Sequence, residues 1–379
     1  MYVAGIIAEY NPFHHGHMHQ IAQTRAAGAS HVIAVMSGAA VQRGAFAIAD
    51  KWARAQMAVS GGVDLVVCLP APWSCARAQD FARGAVEILS ALGCVDLLSF
   101  GSECGDADLL RRAASLVESR GVRQALKTEL GQGRGFAAAR ECALASVDSR
   151  AARCLQTPND TLAVEYLQAM EKIGVKWAVQ AVARVGAGHD CITGEHIKSA
   201  SELRKIILAG ELQPNDIPFF EALSKEIAAG RIARKKEELD FAMLARMKAT
   251  TLEAFADLPD LSEGVDRRLL QAARQAGSLE ELLSCAKVKR YTYARLRRAV
   301  FHCFISINRE IMQTRPEYIE ILAFSARGQE LLHHMKANQM PKLPFVHRKA
   351  DVRKLSPCAQ SAFALEERVE NLQKLLFGA

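Results

Sequence analysis

The sequence predicts an α/β fold: a mostly parallel sheet carrying a helical insertion, followed by a mostly α-helical C-terminal domain. Three observations lead there. Short apolar runs alternate with helical patterns over the first hundred residues, as βα units do. Residues 106–156 lose the strand signal and are rich in Ala, Leu, Arg and Glu. From Gly210 onward the pattern reads as helical throughout, with breaks near Pro214, Pro218, Pro259, Gly277 and Pro316.

Taken in order, residues 2–8 read as the first strand and 16–27 as the helix after it. Residues 31–36 form a second buried strand. After a loop over 37–47, Asp50 caps a helix that runs through residue 60, and 64–69 supply a third strand closed by Pro70. Residues 76–92 are helical, and 97–100 make a fourth strand ending in Gly101-Ser102-Glu103. Beyond the insertion, Asn159 and Asp160 open another helix, 177–185 return as a strand, a Gly/His loop follows, and a helix covers about 201–208. This places a boundary near residue 210, giving domains 1–210 and 211–379. No internal repeat or low-complexity linker separates them, so the two parts are expected to pack on each other.

Composition narrows the function classes. At 379 residues, half of them apolar, the chain has material for two domains. The opening Met-Tyr-Val-Ala-Gly-Ile-Ile-Ala is too short for a signal segment, and no apolar run reaches the roughly 20 residues that span a bilayer. A soluble, cytoplasmic protein with no membrane partner is the expectation. The ten cysteines are scattered without a CxxC pair, as reduced thiols serving as small buried hydrophobes would be. A net charge of +7 and a pI near 8.9 invite polyanions. Lys287, Lys289, Arg290, Arg295, Arg297 and Arg298 crowd a stretch that also holds Tyr291 and Tyr293, so phosphate contacts and base stacking are both available there. Arg231, Arg234, Lys235 and Lys236 make a second cluster. A solvated helix face is the other reading of such clusters.

The chemistry concentrates between the first strand and the first helix, in Glu9-Tyr10-Asn11-Pro12-Phe13-His14-His15-Gly16-His17. Ligands of open α/β sheets bind at the carboxyl ends of strands, and a helix N-terminus offers unpaired N–H groups to phosphate. His14 and His17 add imidazole donors for the charge that develops in a nucleotidyl transfer. Gly16 removes a side chain where a nucleotide approaches closely. Histidines at 14, 15, 17 and 19 also admit a metal site, but the spacing lacks the cysteine or carboxylate partners of ordinary zinc sites.

His14-x-Gly16-His17 after a strand resembles the HxGH signature of the nucleotidyltransferase superfamily, which implies a Rossmann-like parallel sheet. Ser199-Ala200-Ser201-Glu202-Leu203-Arg204 is similar to that superfamily's second, ISSTxIR-like signature, with hydroxyls and Arg204 at a helix N-terminus suited to a leaving pyrophosphate. Ser199-x-x-Glu202 equally fits a capping box. The resemblance narrows to the tRNA(Met) cytidine acetate ligase family. It rests on the run from Gly5 to His17, Met36-Ser37-Gly38 with Gln42-Arg43-Gly44, Lys51-Trp52-Ala53-Arg54, Gly62-Val63-Asp64-Leu65-Val66, Gly101-Ser102-Glu103 and Pro158-Asn159-Asp160. It covers most of residues 1–210 and is diffuse beyond. The sequence departs from the family pattern at Ala39, where a polar residue is usual, and at Cys68-Leu69-Pro70, where the family usually has Glu-Leu-Pro.

The resemblance implies that ATP and acetate form an acetyl-adenylate with release of pyrophosphate, and that the acetyl group passes to N4 of the wobble cytidine of elongator tRNA(Met). Mg²⁺ shields the triphosphate in that scheme. ATP contacts are expected on Ile7, Ala8, Glu9, Tyr10, Asn11, Pro12, Phe13, His14, His15, Gly16, His17, Met18, His19 and Gln20, and on Gly101, Asn159 and Arg184. Ser199, Ser201 and Arg204 are added by the second signature. Asn159 also reads as an N-cap. The rival reading is a nucleotidyltransferase acting on a free small molecule, with the helical half serving assembly.

Overall fold

A computed structural model describes residues 1–184, 197–261 and 264–378. Eleven strands occur among them. In chain order they are β1 (Val3–Ala8), β2 (His31–Ser37), β3 (Ala40–Val41), β4 (Ala45–Phe46), β5 (Leu65–Leu69), β6 (Leu97–Ser102), β7 (Ala178–Ala183), β8 (Ile232–Ala233), β9 (Ile319–Phe324), β10 (Phe345–Val346) and β11 (Phe377–Gly378). Seven of these form one sheet in the order β10-β9-β5-β2-β1-β6-β7. β5, β2, β1, β6 and β7 run parallel, and β9 pairs antiparallel with β5. The strand order therefore turns outward in both directions from β1, and the switch between β1 and β6 is where open α/β sheets leave a crevice.

Both faces of the sheet are buried, which explains its nearly continuous apolar strands. Val3, Ile7, Ile33, Val35, Leu65 and Val67 pack with the helices Ala78–Leu92 and Pro158–Ile173. Their alternates Ala4, Ile6, Val32, Ala34, Met36 and Val66 face Ile21, Ala55 and Ala58 of the helices His15–Ala26 and Lys51–Ser60. A period of two thus feeds two cores. The expected cap at Asp50 is present, its carboxylate accepting from the Ala53 N–H at 2.7 Å. The insertion is helical as anticipated: Ala107–Val117, Arg120–Gly131, Phe136–Ala145 and Ser149–Ala152. A further core gathers the helices between Lys236 and Ile305 with residues of the C-terminal helix Pro357–Lys374.

The region after residue 210 departs from the sequence reading, because it is not helical throughout. β9 and β10 extend the main sheet, so a boundary near residue 210 does not separate sheet from helices. Ile319-Glu320-Ile321-Leu322-Ala323-Phe324 is a short apolar run, and in such a run periodicity does not distinguish a strand from a buried helix segment. Its one charge is matched from far away. Lys51, 1 % exposed, donates to both Glu320 oxygens at 2.7 and 2.9 Å and lies 2.5 Å from Glu370 and 3.8 Å from Glu366. Glu366 also accepts the backbone N–H groups of Ala39 (2.9 Å) and Ala71 (2.7 Å), and Gln373 donates to the carbonyls of Ala47 and Ala49. The C-terminal helix thereby fastens the loops that follow β2 and β5. Gly38 is required there, since a Cβ would collide with the Glu366 carboxylate.

Smaller differences concern ends and loops. The loop after β2 contains the short β3–β4 ladder. β6 continues through Gly101 and Ser102. The Gly/His loop expected after β7 lies outside the described residues. The nine described cysteines are unpaired, as expected, but Cys104, Cys285 and Cys358 are exposed rather than buried. Among the described residues no helix is long and apolar enough to cross a membrane.

Candidate active site

The segment leaving β1 is held by backbone and side-chain contacts before any ligand is considered. Arg54, fully buried, donates to the carbonyls of Glu9 (2.6 Å), Ser37 (3.0 Å), Ala49 (3.1 Å) and Gly38. The Glu9 carboxylate accepts the Gln42 N–H at 2.9 Å, and burial pushes its pKa up. Asn11 Oδ1 accepts the Ile48 N–H at 2.8 Å, while its carbonyl accepts from Arg204 Nη1 at 2.7 Å. Tyr10 and Phe13 are buried edge to face at 5.0 Å, and Tyr10 also meets the His17 ring at 4.7 Å. Ile7 belongs to the sheet core. These residues and Pro12 form the support of the site.

Upon that support the His14 and His17 rings stack at 3.7 Å, inclined by 18°. The His14 backbone N–H donates to His17 Nδ1 at 3.1 Å, which leaves the proton of a neutral His17 ring on Nε2. Burial lowers the pKa of His14 to about 4, with Arg184 adding to the effect. It lowers that of His17 well below the ordinary value, with His14 and Arg184 adding to it. Both imidazoles are therefore neutral donors near pH 7. Gly16 makes room for this stack as well, since a Cβ there would stand 3.0 Å from the His14 ring.

One cleft collects His14, Gly16, His17, His19 and Gln20 from the first junction, Gly101 from β6, Arg184 after β7, and Lys198, Ser199 and Glu202 from the second signature. Four separate parts of the sequence reading thus meet at the β1–β6 switch. Gln20 is fixed by its bond to the Ser99 carbonyl at 3.1 Å, while Met18 is exposed and His15 opens on a neighbouring groove with Lys198 and Asp216. Ser199 is also the capping residue that its spacing suggested: its Oγ accepts the Glu202 N–H and the Glu202 carboxylate accepts the Ser199 N–H. Ser201 and Arg204 sit 3.4 Å apart, one turn along, with Arg204 committed to Asn11.

Asn159 is not the N-cap that its position also suggested. Thr157 is the N-cap of its helix, and the Asn159 amide donates to Glu103 at 2.5 Å. Glu103 also accepts the Asp160 N–H, while the Asp160 carboxylate accepts from Ser102 Oγ and the N–H groups of Glu103 and Cys104. This reciprocal clasp holds the end of β6, and with it Gly101, against the helix. Sequence reasoning missed Arg54, Glu103 and Lys198 as site-building residues. The available signal was a cation in a largely apolar helix for Arg54, and adjacency to the recognised Gly101 and Ser199 for the other two.

The basic stretch is divided. Arg298 is buried and pairs with Asp260 at 3.2 Å. Arg295 reaches the Asp260 carbonyl at 3.2 Å and lies over the Tyr291 ring at 5.5 Å. Arg290 donates to the Gly133 carbonyl, bridging to the insertion. Lys287 donates to the Val288 carbonyl, whereas Lys289 is exposed and Arg297 half-buried. In the second cluster Arg231 pairs with Glu226 and Lys236 with Asp240.

A switch-point crevice, an HxGH junction and a serine-capped second helix define a nucleotidyltransferase site of the HIGH type. The family described as HIGH Nucleotidyl Transferase matches residues 1–378. The tRNA(Met) cytidine acetate ligase of Thermoanaerobacter sp. (strain X514) is 37% identical over 350 residues, covering 89% of this chain and 86% of that protein. The enzyme of the same name from Syntrophotalea carbinolica is 38% identical over 360 residues, with coverage of 91% and 84%. The crystal structure of Thermotoga maritima TmcAL bound with alpha-thio ATP superposes with a TM-score of 0.90 at 31% identity, covering 100% of this chain and 95% of that one. The chain belongs to the tRNA(Met) cytidine acetate ligase family.

Proposed function

We propose that this chain is a cytoplasmic, ATP-dependent ligase that activates acetate as acetyl-adenylate and transfers the acetyl group to N4 of the wobble cytidine of elongator tRNA(Met). The observation that carries this reading is the pair of stacked, neutral imidazoles beside Arg184 and Gly101 at the strand-order switch. ATP lies in that cleft. Mg²⁺ arrives with the nucleotide substrate, shielding its triphosphate.

In the first step an acetate oxygen bonds to the α-phosphorus and the bond from that phosphorus to the bridging oxygen breaks, releasing pyrophosphate. Acetate is already an anion, so no protein nucleophile is needed, and positioning with electrostatic stabilisation supplies the acceleration. The Nε2–H of the neutral His17 ring donates to the developing charge with the His14 ring beside it, and Arg184 adds a positive charge. Lys198, Ser199 and Ser201 receive the pyrophosphate at the N-terminus of the helix Ala200–Ala209, and Arg204 acts by bracing Asn11. In the second step the cytosine N4 attacks the acetyl carbon, AMP leaves, and N4 loses a proton. A cytosine in an anticodon loop leaves its stack at low cost.

The test has two parts. Acetate is expected to stimulate ATP–pyrophosphate exchange without RNA, and nucleoside analysis of tRNA treated with enzyme, ATP and labelled acetate is expected to give N4-acetylcytidine. Failure of every carboxylate to support exchange would remove the adenylation step.

A further inference from the structure

A second cleft, of about 360 Å³, opens where the turn after β5 meets the helices beyond residue 259. Because β1, β2 and β5 are parallel, it lies on the same carboxyl edge of the sheet as the ATP cleft, two strands away from β1. Arg77, Arg83 and Arg309 line it, with His302 in its wall. We propose that this cleft holds a backbone phosphate of the RNA substrate on Arg77, Arg83 and Arg309, a proposal that rests on the tRNA reading above.

Each guanidinium is anchored on one side by the protein. Arg77 Nε donates to Asp80 at 2.7 Å, Arg83 Nη2 to the Met312 carbonyl at 2.9 Å, and Arg309 Nη2 to the Ala256 carbonyl at 3.1 Å. A guanidinium has five N–H donors, so anchoring one edge orients the others instead of exhausting them. The Nε–H of Arg83 is buried and has no partner among the described residues. Two carboxylates also line the cleft, but both are already matched: Asp80 by Arg77 and, at 3.8 Å, Arg83, and Asp260 by Arg295 and Arg298. The surroundings keep an excess of positive charge.

The inner wall of the cleft is built by His302. His302 is 1 % exposed and donates Nε2–H to the Cys75 carbonyl at 2.8 Å, which makes Nδ1 an acceptor, and that buried atom is unpartnered among the described residues. A cleft rimmed by oriented guanidinium donors matches a backbone phosphate better than a peptide or an apolar ligand. An RNA whose reacting base sits at the ATP cleft runs its backbone along the shared edge, across this position. The arginines in question come from two separate stretches of sequence, the start of the helix Ala78–Leu92 and the helix Arg309–Gln313, unlike the single basic run at 287–298.

The experiment measures tRNA affinity by filter binding across a salt series, for the unaltered chain and for an R77Q/R309Q double variant, with Arg315→Gln, outside the cleft, as a control of equal charge loss per site. The double variant is expected to bind at least tenfold more weakly, and the slope of log affinity against log salt is expected to fall by about 0.7–0.9 for each phosphate that is no longer neutralised. Unchanged affinity and slope in the double variant, or losses equal to those of the control, would overturn the cleft while leaving the ligase reading intact. If the unaltered chain binds no tRNA, the ligase reading itself fails, and the cleft proposal with it. Thermal melting of each variant separates weakened binding from impaired folding.

Discussion

Charge is handled in opposite ways at the two ends of this molecule's chemistry. At the β1 junction the titratable rings are stripped of charge: His14 and His17 are neutral because burial and Arg184 disfavour their protonated forms. Around Asp260 the cations are drawn inward, Arg298 into the core and Arg295 onto a carbonyl. A motif fixed by three-residue spacing on a strand–helix junction keeps its side chains together however the rest folds. A basic cluster defined by composition is partitioned by whichever partners the fold supplies.

The sharpest way to break this contrast is at Lys51, where a buried charge joins the first half of the chain to the carboxylates of the second. Lys51→Met leaves Glu320, Glu366 and Glu370 without their cation and is expected to lower unfolding free energy by about 3–5 kcal/mol, read from urea midpoints. A change below about 1 kcal/mol would mean that the three acids protonate at little cost.

Next comes His17→Ala, expected to slow acetate-dependent exchange by about 10²–10³-fold, the usual effect of removing one donor from a preorganised oxyanion site. Should the melting temperature fall in step, the ring would be packing and not chemistry. The pH dependence follows from the same burial. A histidine whose folded pKa is depressed stabilises the fold above its unfolded value near 6.5 and loses that contribution as pH falls toward the folded value. His14 and His302 are both lowered to about 4, so stability is expected to decline between about pH 6.5 and 4, and His302→Gln should flatten part of that decline in pH-resolved urea melts.

Smaller effects separate the basic residues from one another. Asp260→Asn leaves Arg298 without its carboxylate and should cost about 1–3 kcal/mol of stability. Lys289→Gln should leave stability unchanged and alter tRNA affinity only a few-fold, since it removes one exposed charge. Equal stability losses in both would erase the distinction between inward and outward cations.

Much of the site was legible before any coordinates, because its parts are local. Asp50, Ser199 with Glu202, and the His14-x-Gly16-His17 junction are each read within four residues, and each stands where its spacing placed it. The N-cap reading of Asn159 fails because Thr157 takes that place, and the partner of the Asn159 amide, Glu103, lies 56 residues away, where no local spacing reveals it.

By itself the sequence determined the alternating βα pattern, the helical insertion and the local geometry of the strand–helix junction after β1, since these depend on period, capping and adjacency along the chain. The tertiary structure decided that β9 and β10 complete the sheet, that Lys51 is matched by three carboxylates from beyond residue 319, and that Arg77 and Arg309 face one cleft. The physical reason is sequence separation. A short apolar run or an isolated charge has no local feature that names its partner, and only the packed fold brings the two within reach of each other.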